Sequence, residues 1–164
     1  MSIDILPIAE AHAEGFHACL DAVARERKYL ALVEALPLDR LREVIRENVA
    51  HDAAQVVALD EGRVVGWCDI FPRWAPAVRH CGILGMGVLP AYRGRGIGRQ
   101  LLAACIAKAF SQGITRIELE VRADNQRAIR LYERMGFVQE GRLRQAFRLD
   151  GASFDALLMS LLLD

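Results

Sequence analysis

The spacing of apolar residues changes along the chain, and each change marks an element. "SIDILPI" alternates weakly and predicts a first strand. In "AEAHAEGFHACLDAVARER", Phe16, Cys19, Leu20 and Val23 recur at helical spacing. In "PLDRLREVIRENVAHD", Leu38, Leu41, Val44, Ile45 and Val49 fall on one face of a second helix. "AQVVALD" and "RVVGWCDIF" read as strands joined by Asp60-Glu61-Gly62, a hairpin turn signal. "PRWAPAVR" carries two prolines and reads as a loop. "CGILGMGVL" is apolar throughout, as a strand buried on both faces would be. "GRQLLAACIAKAFSQG" is a helix with Leu101, Leu102, Cys105, Ile106, Ala109 and Phe110 as its buried stripe, and Gly113 stops it. "TRIELEVR" alternates cleanly, with Ile117, Leu119 and Val121 facing one way. "DNQRAIRLYERMGF" puts Ala128, Leu131, Tyr132 and Met135 on one helix face and ends at Gly136. "FVQEGRLRQAFRLDGASFDALLMSLLL" reads as two strands around an Asp150-Gly151 turn. The order is β-α-α-β-β-β-α-β-α-β-β, an α/β chain without repeat or linker, taken as one domain over residues 1–164.

Composition narrows the picture. With 53% hydrophobic and 26% charged residues, the 164-residue chain suits an ordinary globular core. The start carries Asp4, Glu10 and Glu14 and does not read as a signal peptide. The longest apolar stretch, "ALLMSLLL", is too short to span a membrane, so the cytoplasm is the default location. Cys19, Cys68, Cys81 and Cys105 share no metal or redox spacing, so no metal is expected and each reads as a small core residue. The net charge of zero is unevenly spread: residues 93–148 hold twelve Lys or Arg against five Asp or Glu. That bias suggests an anionic ligand in the second half. No nucleic-acid motif accompanies it, so no nucleic-acid partner is expected.

The anion's place is suggested by "LPAYRGRGIGRQLL". A nucleotide P-loop needs Lys and then Ser or Thr after its last glycine, but Gly98 is followed by Arg99 and Gln100. A dinucleotide fingerprint needs glycines at positions one, three and six, and Gly94, Gly96 and Gly98 are spaced by two. A tight strand-to-helix turn needs one glycine, not three beside Arg93, Arg95 and Arg99. A helix N-terminus offers unpaired amides and a positive dipole end, and glycines remove the Cβ atoms that would hold an anion away. A pyrophosphate fits. Gly82, Gly85 and Gly87 inside the preceding strand mark close approach by a ligand. Coenzyme A combines an amide-bearing arm with a pyrophosphate and suits both features.

At these residues the chain resembles the GCN5-related N-acetyltransferase (GNAT) superfamily. Arg93, Gly96 and Gly98 fit its Arg/Gln-x-x-Gly-x-Gly/Ala signature. Asn125, Ala128, Leu131, Tyr132, Gly136 and Phe137 fit its Asn-x-x-Ala-x-x-Leu-Tyr-x-x-x-Gly-Phe run. The likeness extends roughly from Val64 to the end, and the last hairpin resembles that of bacterial ribosomal-protein or amino-acid acetyltransferases. The resemblance implies a mixed, mostly antiparallel central sheet flanked by helices. It implies acetyl-CoA as cosubstrate, held by Met86, Gly87 and Val88 along the pantetheine and by Arg93, Gly94, Arg95, Gly96, Ile97, Gly98 and Arg99 around the pyrophosphate. Asn125 is a helix cap, a cofactor contact, or both.

In such families an amine attacks the thioester directly, so a base must take its proton and an acid must reprotonate the sulfur. Tyr132 matches the family's acid. Many relatives carry the base on the strand that here reads "CGILGMGVL", which holds no acid. His80, Asp69, Glu118, Glu120 or a water chain remain candidates. Tyr29, Trp67, Phe71, Trp74 and Phe147 are expected around the acceptor. A small-molecule amine is the expected partner: an amino acid, polyamine or amine antibiotic. A protein N-terminus or lysine, and a non-catalytic coenzyme A sensor, are the alternatives. A homodimer stays open. The strand with Gly85 and Gly87 is expected to splay from "TRIELEVR" and leave a cleft.

Overall fold

The computed structural model describes residues 2–164. The elements follow the predicted order: β1 (Ile3–Pro7), α1 (Ala13–Ala24), α2 (Leu38–Ala50), β2 (Ala54–Asp60), β3 (Arg63–Pro72), β4 (Cys81–Val88), α3 (Ile97–Ser111), β5 (Arg116–Arg122), α4 (Gln126–Arg134), β6 (Val138–Leu149) and β7 (Ala152–Leu162). The proline loop contains one short 3-10 turn, Pro76–Val78. Both predicted two-residue hairpin turns form with positive φ, at Glu61 and Gly62 and at Asp150 and Gly151.

The strands form one sheet in the order β1-β2-β3-β4-β5-β7-β6. Every neighbouring pair is antiparallel except β4 and β5. These two run parallel and pair only where Cys81, Gly82 and Ile83 meet Arg116, Ile117 and Glu118. Beyond that point they diverge, as the glycines of β4 predict.

The glycines themselves have a different reason from the one expected. Gly87 lies opposite Trp67 of β3. A Cβ there would stand 2.3 Å from the Trp67 ring. A Cβ on Gly82 would stand 2.5 Å from Ile70. The neighbouring strand has filled the space that side chains of β4 would need. These residues are therefore set by packing in the sheet, not by a ligand alone.

Helices cover both faces. Phe16 of α1 packs on Trp67, ring centroids 5.7 Å apart. Side chains alternate along β3, and on the opposite face Leu101 of α3 lies 3.1 Å from where a Gly66 Cβ would be. Leu101, Leu102, Cys105 and Ala109 are fully buried. All four cysteines are free and buried, as core residues. Three periodicity readings need correction. Val44 and Val49 are each 41% exposed, because α2 buries only the narrower line of Leu41 and Ile45. Phe110 is exposed at the end of α3. β4 is not buried on both faces either: Ile83 is exposed, because it borders the gap left by β5. Among the described residues no helix is long and apolar enough to cross a membrane.

Candidate active site

The divergence of β4 and β5 opens a cleft of about 1490 Å³. Its walls include Met86, Gly87 and Val88 of β4, the turn with Gly94 and Gly96, the first residues of α3, Asn125 just before α4, and Tyr132 within it. Since β4 leaves β5 after Ile83, the polar backbone edge of its last residues faces the cleft instead of another strand.

The turn into α3 is built from backbone. Gly96 caps the helix in the left-handed region, φ 79°, which only glycine adopts without penalty. The first amide of α3 to find a helical acceptor is that of Gln100, bonded to Gly96 O. The amides of Ile97, Gly98 and Arg99 come earlier and have no acceptor within the helix. All three residues line the cleft. Gly98 serves packing as well: a Cβ would lie 3.1 Å from Leu131, so its absence lets α3 approach α4. The ensemble has the chemistry to receive an anion: free amides, with the positive end of α3 behind them.

The three arginines of this turn divide their labour. Arg99 lines the cleft. Arg93 turns its guanidinium inward, donating from Nε to Val88 O at 2.9 Å and to Glu26 at 2.9 and 3.1 Å. Its charge is thus met by Glu26, which lines the cleft beside it, and the pair ties the turn to β4 and to the residues after α1. Arg95 lies outside the cleft wall, with its guanidinium 5.2 Å from the Tyr92 ring centre. Nothing in the sequence pointed to Glu26, which stands 67 residues from its partner.

Tyr132 is buried in the cleft wall, its ring 5.7 Å from that of Phe137. Burial pushes its phenol well above the ordinary value, with nearby Cys68 adding to the shift. The hydroxyl therefore keeps its proton at neutral pH and is available as a donor. Asn125 accepts a hydrogen bond from the Ala128 amide at 3.3 Å, capping α4, and also lines the cleft. Both readings of Asn125 are geometrically compatible.

The candidate bases separate clearly. His80 sits at the foot of β4, its Nε2 3.5 Å from Cys81 Sγ, away from the cleft lining. Glu118 lines the cleft but is held by Arg116 at 2.8 Å and Arg73 at 3.6 Å. Glu120, two residues further along β5 and so on the same face, lines the cleft and is exposed. Asp69 lies across from Gly85, 3.1 Å from where a Cβ on that glycine would be. Burial pushes its carboxyl up to about 7, against a lowering hydrogen bond from the Gly85 backbone. It is behind the cleft wall rather than in it. Of the aromatic residues expected around an acceptor, Tyr29 and Phe147 line the cleft. Trp67 is core, and Trp74 is 87% exposed on the β3–β4 loop.

The comparisons with known proteins agree with this geometry. Over 107 residues the chain is 46% identical to the N-alpha-acetyltransferase RimI of Mycobacterium tuberculosis, covering 65% of this chain and 66% of that one. It spans 25% and 51% of the length of two further curated relatives. Among solved structures, the ribosomal-protein-alanine N-acetyltransferase of Brucella melitensis superposes with a TM-score of 0.90 at 27% identity, covering 98% of this chain and 99% of that one. The fold is also that of yncA, a putative acetyltransferase from Salmonella typhimurium solved with acetyl-CoA: TM-score 0.93, 21% identity, 100% of this chain and 95% of that one. The model of the acetyltransferase (GNAT) family matches residues 16–137, a span running from α1 through the turn into α3 to Phe137 beyond Tyr132, and the chain belongs to that family.

Proposed function

We propose that the cleft binds acetyl-CoA and passes its acetyl group to a primary amine, and that the acceptor is the free α-amino group of a polypeptide. The observation that carries the proposal is the wedge between β4 and β5. It ends on the amides of residues 97–99 and has Tyr132 and Glu120 in its walls. The pyrophosphate would rest on those amides and the pantetheine amides on the free edge of β4. At about 1490 Å³ the cleft is larger than an ordinary small-ligand pocket of a few hundred to about 1,000 Å³, as a site that takes acetyl-CoA together with an acceptor must be. The names of two relatives, an N-alpha-acetyltransferase and a ribosomal-protein-alanine N-acetyltransferase, support the α-amino acceptor.

The chemistry follows from proton balance. An ammonium ion gives one proton to Glu120, directly or through water, and becomes nucleophilic. Its nitrogen forms a bond to the thioester carbonyl carbon, the C–S bond breaks, and the surplus amine proton leaves. Tyr132 gives its proton to the departing sulfur and recovers one from solvent. The products are an amide, coenzyme A and one proton. Glu120 is the base of choice because Glu118 is already held by two arginines.

A small amine is the second reading, favoured by Tyr29 and Phe147 in the cleft wall. One assay separates the readings: thiol release from acetyl-CoA with an alanyl hexapeptide, an N-terminally blocked lysyl peptide, free amino acids or spermidine. The alanyl peptide should be acetylated fastest. Acceptance of amino acids or spermidine alone would establish the second reading. Tight acetyl-CoA binding without transfer to any amine would leave a coenzyme A sensor.

A further inference from the structure

Residues 25–37, between α1 and α2, form neither helix nor strand, yet Tyr29 and Leu30 from this segment help to wall the cleft. An irregular segment keeps its place only if its backbone groups find partners. Its first amides bond back to α1, Asp21 Oδ1 accepts from the Ala35 amide at 3.0 Å, and in between Arg122 reaches the Lys28 carbonyl. Arg122, the last residue of β5, is 6% exposed. Its guanidinium donates to Asp124 from Nε at 3.0 Å and from the second amino group at 2.7 Å. The remaining amino group donates to the Lys28 carbonyl. The same plane lies 3.6 Å from the centre of the Phe154 ring of β7 and 5.1 Å from that of Tyr29. Outside this cluster, Arg27 bridges the segment to Asp150 at the β6–β7 turn, at 2.8 Å.

Burying a cation is costly unless it is paired and hydrogen-bonded. This one is met on its edge by a carboxylate and a carbonyl and on its faces by aromatic rings, the arrangement that suits a planar guanidinium and not a lysine. None of these contacts involves β4 or residues 93–99, where acetyl-CoA is proposed to bind.

We infer that Arg122 is a positioning residue for the amine acceptor: it holds residues 28–30 against β5 and β7 and so sets the acceptor wall of the cleft, separately from the cosubstrate site. The inference rests on the acetyltransferase reading given above.

Two measurements test it, and the first needs no acceptor. Trypsin can cut after Arg25, Arg27 and Lys28, all exposed. In Arg122→Gln, cleavage at these bonds, located by mass spectrometry, should quicken by about tenfold or more, as expected when a buried charged hydrogen bond is lost. Arg122→Lys should behave like Arg122→Gln, since charge without the planar fork does not rebuild the stack. The second measurement is kinetic, with the alanyl hexapeptide as acceptor. Its KM should rise about tenfold, while kcat at saturation and the acetyl-CoA dissociation constant stay within about twofold. Phe154→Leu removes one face of the stack and leaves the Asp124 bonds intact, so it covers the case in which Arg122 variants fail to fold. It should show the same split, more weakly. Unchanged cleavage in a folded Arg122→Gln protein would overturn the inference, as would equal losses in acceptor and acetyl-CoA affinity. If no amine is acetylated, the acetyltransferase reading fails while the cleavage result still decides whether Arg122 holds the segment.

Discussion

Burial is the main force on both Tyr132 and Asp69, and its consequences differ. Both are desolvated, which favours the neutral form of each. For a phenol this means a proton that stays in place at neutral pH, the proton that the proposed mechanism hands to the departing thiolate. Tyr132→Phe keeps the ring and its contact with Phe137, so it isolates the hydroxyl. Positioned acid catalysis contributes about 10² to 10⁴-fold, and the lower end is expected, since a thiolate leaves readily. Turnover should fall about a hundredfold with the acetyl-CoA dissociation constant unchanged; full turnover in a folded variant would remove Tyr132 from the chemistry. For Asp69 the consequence is stability. Its carboxyl titrates near 7 in the folded chain against an ordinary value of 3.8, so the native state holds a proton that the unfolded chain has released. The stabilisation is complete below about pH 4 and is lost as pH rises through about 7. Asp69→Asn can still accept the Gly85 hydrogen bond and does not titrate. Relative to the wild type it should gain stability as pH rises from 4 to 7, on the order of 2–4 kcal/mol by pH 8. Parallel pH–melting curves for the two proteins would contradict the buried-carboxyl account.

At the scale of elements, α3 is bounded by two glycines in the left-handed region, Gly96 at φ 79° before it and Gly113 at φ 90° after it. A Cβ on either would meet nothing within 4 Å. Alanine at either position should therefore cost the backbone penalty alone, about 1–2 kcal/mol, without a clash. Only Gly96 lies in the cleft. Gly96→Ala should weaken acetyl-CoA binding in calorimetry and Gly113→Ala should leave it unchanged, although both melt lower by similar amounts. Equal affinities would show that the turn does not hold the cosubstrate. The same helix explains what the sequence made legible. Its start follows from glycines and its end from Gly113, both local signals, and its buried stripe follows from a period of 3.6. Alternation likewise identified the inward face of β5. What stayed hidden depends on partners distant in sequence. That Trp67 fills the space above Gly87, that Glu26 takes the charge of Arg93, and that Lys28 and Tyr29 gather on Arg122 are properties of the folded sheet. Trp67 also shows why a list of aromatics does not make a pocket: as a residue type it suits the core and the cleft equally.

The whole molecule is a sheet that is complete everywhere except along one seam. Six strand pairs tie β1 to β6, and five run through most of their length, while β4 and β5 meet at three positions. The core on either side is closed by helices, so the gap is not a defect that collapse could repair; Gly87 is already occupied by Trp67, and β7 is fully engaged with β5. A ligand whose amides complete the open edge should therefore act as the missing strand contact and stabilise the sheet as a unit. By mass action, acetyl-CoA at a hundred times its dissociation constant adds about 2.7 kcal/mol. For a domain of this size that corresponds to a rise in Tm of roughly 5–10 °C. Hydrogen exchange locates the effect: amides of residues 84–88 and 97–99 should gain protection on adding acetyl-CoA, while those of β1 and β2, remote from the seam, should change only as far as global unfolding slows. Residues 28–30 should gain little, because Arg122 already holds them. A Tm rise accompanied by protection spread evenly over the sheet, with no excess at the seam, would mean that acetyl-CoA binds elsewhere on the molecule.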